Sequence, residues 1–145
     1  MPIALRDLGR VVKQFQYRHH REMDRGLRAV GTSLPQWDAL RAISARPRSS
    51  AHALAEMTFQ SDQSFGALAS RLMERGMIER IPGPGRAVRH RLTSKGEATL
   101  RKGYDVVDQV FAASFAPLTV RQREELYRLL SRALIEGDPP QRVGL

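Results

Sequence analysis

The chain has 145 residues, 41% of them hydrophobic, enough for one domain with a modest core, and no run approaches the roughly 18 apolar residues of a membrane-spanning helix. Its 24 basic and 15 acidic residues give a net charge of +9, and residues 71–102 hold nine of the basic groups against three of the acidic, so most of the excess is focused where a phosphate surface would need it. Cysteine is absent, which excludes disulfides, thiolate metal sites and thiol-based oxidant sensing, and His19, His20, His52 and His90 form neither an i, i+4 pair nor an HExxH motif, so no metal and no other cofactor is expected.

The opening residues Met1 to Arg10 place Arg6 and Asp7 where a signal peptide would be apolar, and a cytoplasmic location is expected. Leu5, Leu8, Val12, Phe15, His19, Met23, Leu27 and Val30 then recur at spacings of three and four, which predicts one long helix with an apolar stripe. Ser33 to Gln36 reads as a capping box with Pro35 inside the first turn, opening a scaffold helix through Trp37, Leu40 and Ile43.

A short helix over Leu54 to Met57 follows, and the step Phe59-Gln60-Ser61 interrupts it. Ser61 is the expected N-cap of a second helix, because its hydroxyl can accept an orphan backbone N–H from the first turn. Phe65, Leu68, Ala69 and Leu72 fall at i, i+3, i+4 and i+7 and should be buried together. Gln63, Gly66, Ala67, Ser70 and Arg71 lie on the opposite face, which with Ser61 and Ser64 in the first turn suits a helix laid in a major groove. Gln63 can bond an adenine and Ala67 can touch a thymine methyl; the plainer reading is an ordinary solvated face.

Gly76 stops this helix, Met77 to Ile81 reads as a strand, and Pro82-Gly83-Pro84-Gly85 reads as a turn. The return strand places Val88, His90 and Leu92 on one side and Ala87, Arg89 and Arg91 on the other. With Arg86 in the loop, this makes an arginine-bearing hairpin suited to a minor groove or phosphates, or else a solvent strand. Ser94 with Glu97 reads as a capping box for a helix through Leu100, Tyr104, Val107, Val110 and Phe111, which Pro117 terminates. Thr119 with Gln122 opens the last helix, through Leu126, Leu129, Leu130, Ala133 and Leu134 to Gly137, and residues 138–145 read as a loosely held tail.

The fold class expected is mainly α with a small β-hairpin wing: a single domain over 1–145, with a winged helix-turn-helix at 33–93 between N- and C-terminal dimerisation helices at 1–30 and 95–137. Three amphipathic helices exceed what so small a reader can cover, and a two-fold dimer doubles the base contacts on a palindromic site. A homodimer on double-stranded DNA is therefore expected, the alternative being that the stripes close only an intramolecular core.

The run Leu54-Ala55-Glu56, then Leu68, Arg71-Leu72, Arg75-Gly76, Ile78 and Arg80, and finally Arg86, Arg91-Leu92-Thr93 and Gly96 resembles the MarR family of bacterial transcription regulators. The spacing matches without a gap from Leu54 to Gly96, the flanking helices match in length, and the resemblance covers nearly the whole chain. It implies a dimeric regulator, expected here as a repressor, that responds to a small aromatic or phenolic ligand held between reader and dimer helices. His19, Met23, Trp37 and Leu40 either line such a pocket or are plain core. The chain departs from the family at Pro84, where an acid usually braces the wing arginine, and at Gly66, which costs a helix about 1 kcal/mol relative to alanine.

No enzyme is expected. GxSxG, GxxxxGK[ST] and HExxH are all missing, and no helix signal follows the Pro82–Gly85 loop as a dinucleotide site requires. The alternative function is an architectural or protein-binding winged-helix module without strong sequence specificity, which Asp62 at the start of the expected groove helix keeps open.

Overall fold

The N-terminal stripe forms a single helix, α1 (Leu5–Ala29), in the computed structural model, which describes residues 1–82, 85 and 88–135. Only the far end of the stripe is covered: Met23 and Leu27 are buried, whereas Leu5, Leu8 and Val12 are exposed. Helix α2 (Leu34–Ala45) starts at Ser33, whose Oγ accepts the Gln36 N–H at 3.3 Å, with Pro35 in the first turn. The expected capping box is only half formed. The Gln36 side chain turns away from the Ser33 amide because its Oε1 accepts the Arg75 guanidinium at 2.8 Å.

Helix α3 (Ala51–Met57) begins earlier than its apolar residues suggest, because Ser50 caps it by accepting the Ala53 N–H at 3.2 Å. It is closed by Thr58, whose hydroxyl donates to the Leu54 carbonyl at 2.9 Å. Phe59 then takes a positive φ of 55°, and Ser61 starts α4 (Asp62–Glu74) by accepting the Ser64 N–H at 3.1 Å, as the sequence predicts. Phe65, Ala69 and Leu72 are buried and Leu68 is half-buried, so the inward face of α4 is the one its periodicity indicates. At its end Gly76 adopts φ +70°, a conformation costly for any residue with a Cβ, and the Met77 N–H closes the helix onto the Leu72 carbonyl at 2.9 Å.

That last bond takes Met77 out of the strand, so β1 is Ile78–Ile81. It pairs antiparallel with β2 (Arg89–Leu92) in the register Ile78 with Leu92, Glu79 with Arg91, Arg80 with His90 and Ile81 with Arg89. His90 points inward and is buried, as the alternation requires. Val88 precedes the paired residues and is exposed, which the alternation did not anticipate. Pro84, Arg86 and Ala87 lie outside the described residues.

Helix α5 (Ser94–Phe115) is capped by Thr93 and not by Ser94. The Thr93 Oγ1 donates to the Gly76 carbonyl at 2.6 Å and accepts the Gly96 N–H at 3.1 Å. One hydroxyl thus ties the end of α4 to the start of α5, and it moves the cap one residue upstream. Helix α6 (Val120–Ile135) opens with the predicted reciprocal box: Thr119 Oγ1 accepts the Gln122 N–H at 3.2 Å, and Gln122 Oε1 accepts the Thr119 N–H at 2.9 Å.

Two compact units result, residues 1–111 and 112–145. The core of the first gathers Leu27, Trp37, Leu40, Ile43, Leu54, Phe65, Leu72 and Val107, all nearly or fully inaccessible to solvent. Burying each such side chain stabilises the fold by about 1.5–3 kcal/mol relative to leaving it in water. No residue of α6, in the second unit, is buried, and Leu129, Leu130, Leu134 and Ile135 are all exposed. No helix among the described residues is long and apolar enough to cross a membrane.

Candidate nucleic-acid interface

Burial of Phe65, Ala69 and Leu72 leaves the opposite side of α4 bare. Ser61, Gln63, Ser64, Gly66, Ala67, Ser70 and Arg71 are all exposed, so every residue expected on this face is on it. The side chains are short except for Gln63 and Arg71, and a Cβ built on Gly66 would meet only open space. The first turn is held in place by the Ser61 cap, and the Ser61 hydroxyl also donates to Ser64 Oγ at 3.0 Å.

The wing adds cations unevenly. Arg89 is half-buried and has no partner among the described residues. Arg91 is exposed, and its Nε donates to Glu79 Oε1 at 2.7 Å across the hairpin. This pair follows from the strand register, which faces Glu79 with Arg91. Arg86 lies outside the described residues. Beneath the wing, His90 is 4% exposed and neither ring nitrogen has a partner among the described residues. Burial, and then the nearby Arg80, holds its pKa below the usual histidine value.

Two further groups at this surface make contacts between elements that the sequence does not announce. His52 of α3 reaches Asp62, the first residue of α4, with Nδ1 2.8 Å from Oδ1, and reaches Glu56 with Nε2 3.1 Å from Oε1. The Asp62 hydrogen bond and charge, then the Glu56 charge, raise its pKa. Arg75 braces the other end of α4 by donating to Gln36 and, at 2.6 Å, to the Gly31 carbonyl. Periodicity could not have found either, because both join separate elements.

The four residues expected at a ligand pocket are brought close to the core of the first unit. Met23, Trp37 and Leu40 are part of that core. The Trp37 Nε1–H donates to the Leu100 carbonyl at 3.1 Å, and the Tyr104 ring stands edge-on to the indole at 5.2 Å. His19 is half-buried between the Phe15 and Phe111 rings, at 5.2 and 5.4 Å, and burial followed by His20 and Arg18 lowers its pKa. An open cleft of about 370 Å³ lies elsewhere, at the α1–α2 turn, lined by Arg28, Gly31, Thr32, Ser33, Gln36 and Arg75. No three His, Asp or Glu side chains among the described residues group as metal ligands.

Two helices joined by a tight turn, the second with a bare outward face and followed by an antiparallel hairpin, define a winged helix-turn-helix protein. Residues 30–87 match the MarR family. The chain is 25% identical over 115 residues to the HTH-type transcriptional repressor IacR of Pseudomonas putida, covering 78% of this chain and 69% of the relative. The fold is similar to that of the Mycobacterium tuberculosis MarR family protein Rv2887. Its structure in complex with DNA superposes with a TM-score of 0.72 at 25% identity, covering 87% of this chain and 96% of that one. Its complex with salicylic acid gives 0.71 at 26% identity over 87% and 95% of the two chains. A mutant MarR from E. coli complexed with operator DNA has the same fold, with a TM-score of 0.80, 21% identity and coverage of 88% and 94%.

Proposed function

We propose that the chain is a homodimeric repressor that binds a pseudo-palindromic operator in double-stranded DNA and is released by a small aromatic acid. The observation that carries the reading is the two-sided character of α4: one face is locked into the core, and the other presents Gln63, Gly66, Ala67, Ser70 and Arg71 to solvent. In this reading α4 enters the major groove, Gln63 reads a base edge, and Ser61, Ser64 and Arg71 fix the register on phosphates. Arg86, Arg89 and Arg91 of the wing meet phosphates or the adjacent minor groove. That Rv2887, similar in fold, has a structure in complex with DNA supports a DNA-binding role.

Dimerisation is supported by the apolar surface left open on each unit taken by itself. Leu5, Leu8 and Val12 are exposed on α1, and Leu129, Leu130 and Leu134 on α6, although their spacing is that of buried stripes. A second copy would cover them, and two readers about one helical turn apart, roughly 34–36 Å, match a palindrome. The site of action is the cytoplasm, where the DNA is.

The ligand assignment draws on the salicylic acid complex of Rv2887. In this chain the pocket would open at His19, beside Met23, Trp37 and Leu40, with the indole N–H already committed to Leu100. A ligand acts only if it binds better to one spacing of the two readers than to the other. The test is capture of genomic fragments at physiological salt followed by footprinting of the tightest fragment. A short inverted repeat protected on one face supports the reading; protection spread without a repeat supports an architectural binder instead.

A further inference from the structure

Asp62 occupies the first position of α4, where a carboxylate favours the helix because the N-terminal dipole is positive. The same position is unfavourable in a helix whose opening turn approaches phosphates. Glu56 adds a second carboxylate on α3, and both side chains are about two-thirds exposed. His52 lies between them, with one ring nitrogen on each acid. An exposed cluster of this kind adds little to folding stability, since water screens it. Its effect on a polyanion is different, because the cluster presents two uncompensated negative charges when the ring is neutral and one when it is protonated.

We propose that His52 is a proton-operated clamp that masks Asp62 and Glu56 and so sets the affinity of the α4 entry turn for DNA. The inference rests on the DNA-binding reading above. Both ring nitrogens are within hydrogen-bond distance of carboxylate oxygens, an arrangement that only the doubly protonated imidazolium can satisfy as donor on both sides. No other charge competes for the ring among the described residues. Of the elements packed against α3, α4 presents Asp62, and the only charged residues of α2, Asp38 and Arg41, are bonded to each other at 2.7 Å. Bringing phosphates toward the cluster favours the protonated ring further, so the complex takes up a proton over the pH range between the free and bound histidine pKa values. Affinity is then highest at the acid end and falls as pH rises through that range.

The experiment is fluorescence anisotropy at about 0.15 M salt from pH 5.5 to 8.5, with the full chain, the footprinted duplex and its scrambled counterpart, for wild type and His52→Gln. One phosphate-facing charge at this salt is worth about fivefold in affinity through counterion release. Wild type should lose about fivefold more affinity than His52→Gln between the two ends, equally on both duplexes, because the effect is on phosphates and not on bases. The double variant Asp62→Asn with Glu56→Gln should bind tightly throughout and lose the same slope. Histidine NMR on the free protein should place the His52 titration above the ordinary value of about 6.5. Identical slopes in wild type and His52→Gln, or a His52 titration at or below 6.5, overturn the clamp. The operator-to-scrambled ratio reports separately on the regulatory reading, so a ratio near one with the slope intact sinks that reading alone, and no binding to either duplex at any pH sinks both.

Discussion

The backbone of Gly103 lies directly against the indole of Trp37: a Cβ placed on Gly103 would fall inside contact distance of Nε1, Cδ1 and Cε2 of the ring. The indole is 3% exposed and its N–H is spent on the Leu100 carbonyl one turn earlier on α5. Helix α5 therefore approaches α2 as closely as a helix without a side chain permits, and the ring cannot retreat without losing its hydrogen bond. Gly103→Ala should overpack this contact and destabilise the first unit by about 1–3 kcal/mol, despite alanine's better helix propensity. Urea unfolding checks it; unchanged or increased stability would mean that the indole has room to move.

Arg41 is buried at 7% exposure, and both its Nε and Nη2 are bonded to Asp38 Oδ1, at 2.8 and 2.7 Å. Removing the partner leaves a cation in the interior with no acid to face, which costs more than the pair contributes. Asp38→Ala should lower stability by about 3 kcal/mol. The double variant Asp38→Ala with Arg41→Met should recover much of that, and a double-mutant cycle in denaturant measures the recovery.

Phe59 holds φ at +55° in the turn between α3 and α4 while its side chain is 86% exposed. The left-handed region costs a bulky residue about 1–2 kcal/mol, and little burial offsets it here. Asparagine enters that region readily. Phe59→Asn should therefore raise stability by about 1 kcal/mol, seen as a higher melting temperature with no loss of DNA binding. A lower melting temperature would show that the ring makes contacts elsewhere in the assembly.

His90 gives folding a pH dependence. Its folded pKa is depressed by burial and by Arg80, whereas the unfolded chain takes up the proton near pH 6.5. The unfolded state then binds more protons as pH falls below 6.5, so stability declines from there down toward the folded value. His52 has the opposite sign: its raised pKa contributes stability present below about 6.5 and lost as pH rises through the folded value. His90→Leu should therefore lose less stability between pH 7 and 5 than wild type, which parallel urea titrations at the two pH values would show.

The sequence was informative wherever one element's own periodicity or cap determines its structure. The inward face of α4, the Ser61 cap and the Thr119–Gln122 box are local patterns of this kind, and each is found where the spacing puts it. Local patterns misled where a distant group competed. Gln36 leaves its box for Arg75, 39 residues away in the chain, and Thr93 displaces Ser94 as the α5 cap because its hydroxyl is held by Gly76. The outward face of α4 was legible residue by residue, and so was Asp62 at its start, but the contacts of His52 with Asp62 and Glu56 were not. His52 and Asp62 are ten residues apart on different helices, and only the turn at Phe59 brings them together.

The roles proposed for Gln63 and Arg89, base reading and phosphate binding, are separable by substitution. Gln63→Ala should relax preference at one operator position by about 1–3 kcal/mol while leaving binding to scrambled DNA intact. Arg89→Ala should weaken binding to all sequences alike and reduce the salt slope by about one. Competition binding over a salt series checks both, and equal weakening of every duplex by Gln63→Ala would remove it from base reading.

The most direct test is the affinity ratio between the footprinted operator and a scrambled duplex of equal length, measured on the purified chain at about 0.15 M salt. A dimer that places two copies of α4 in successive grooves predicts a ratio of at least about a thousandfold, with one dimer bound per operator. A ratio within a few-fold of one, or a monomer bound, contradicts it.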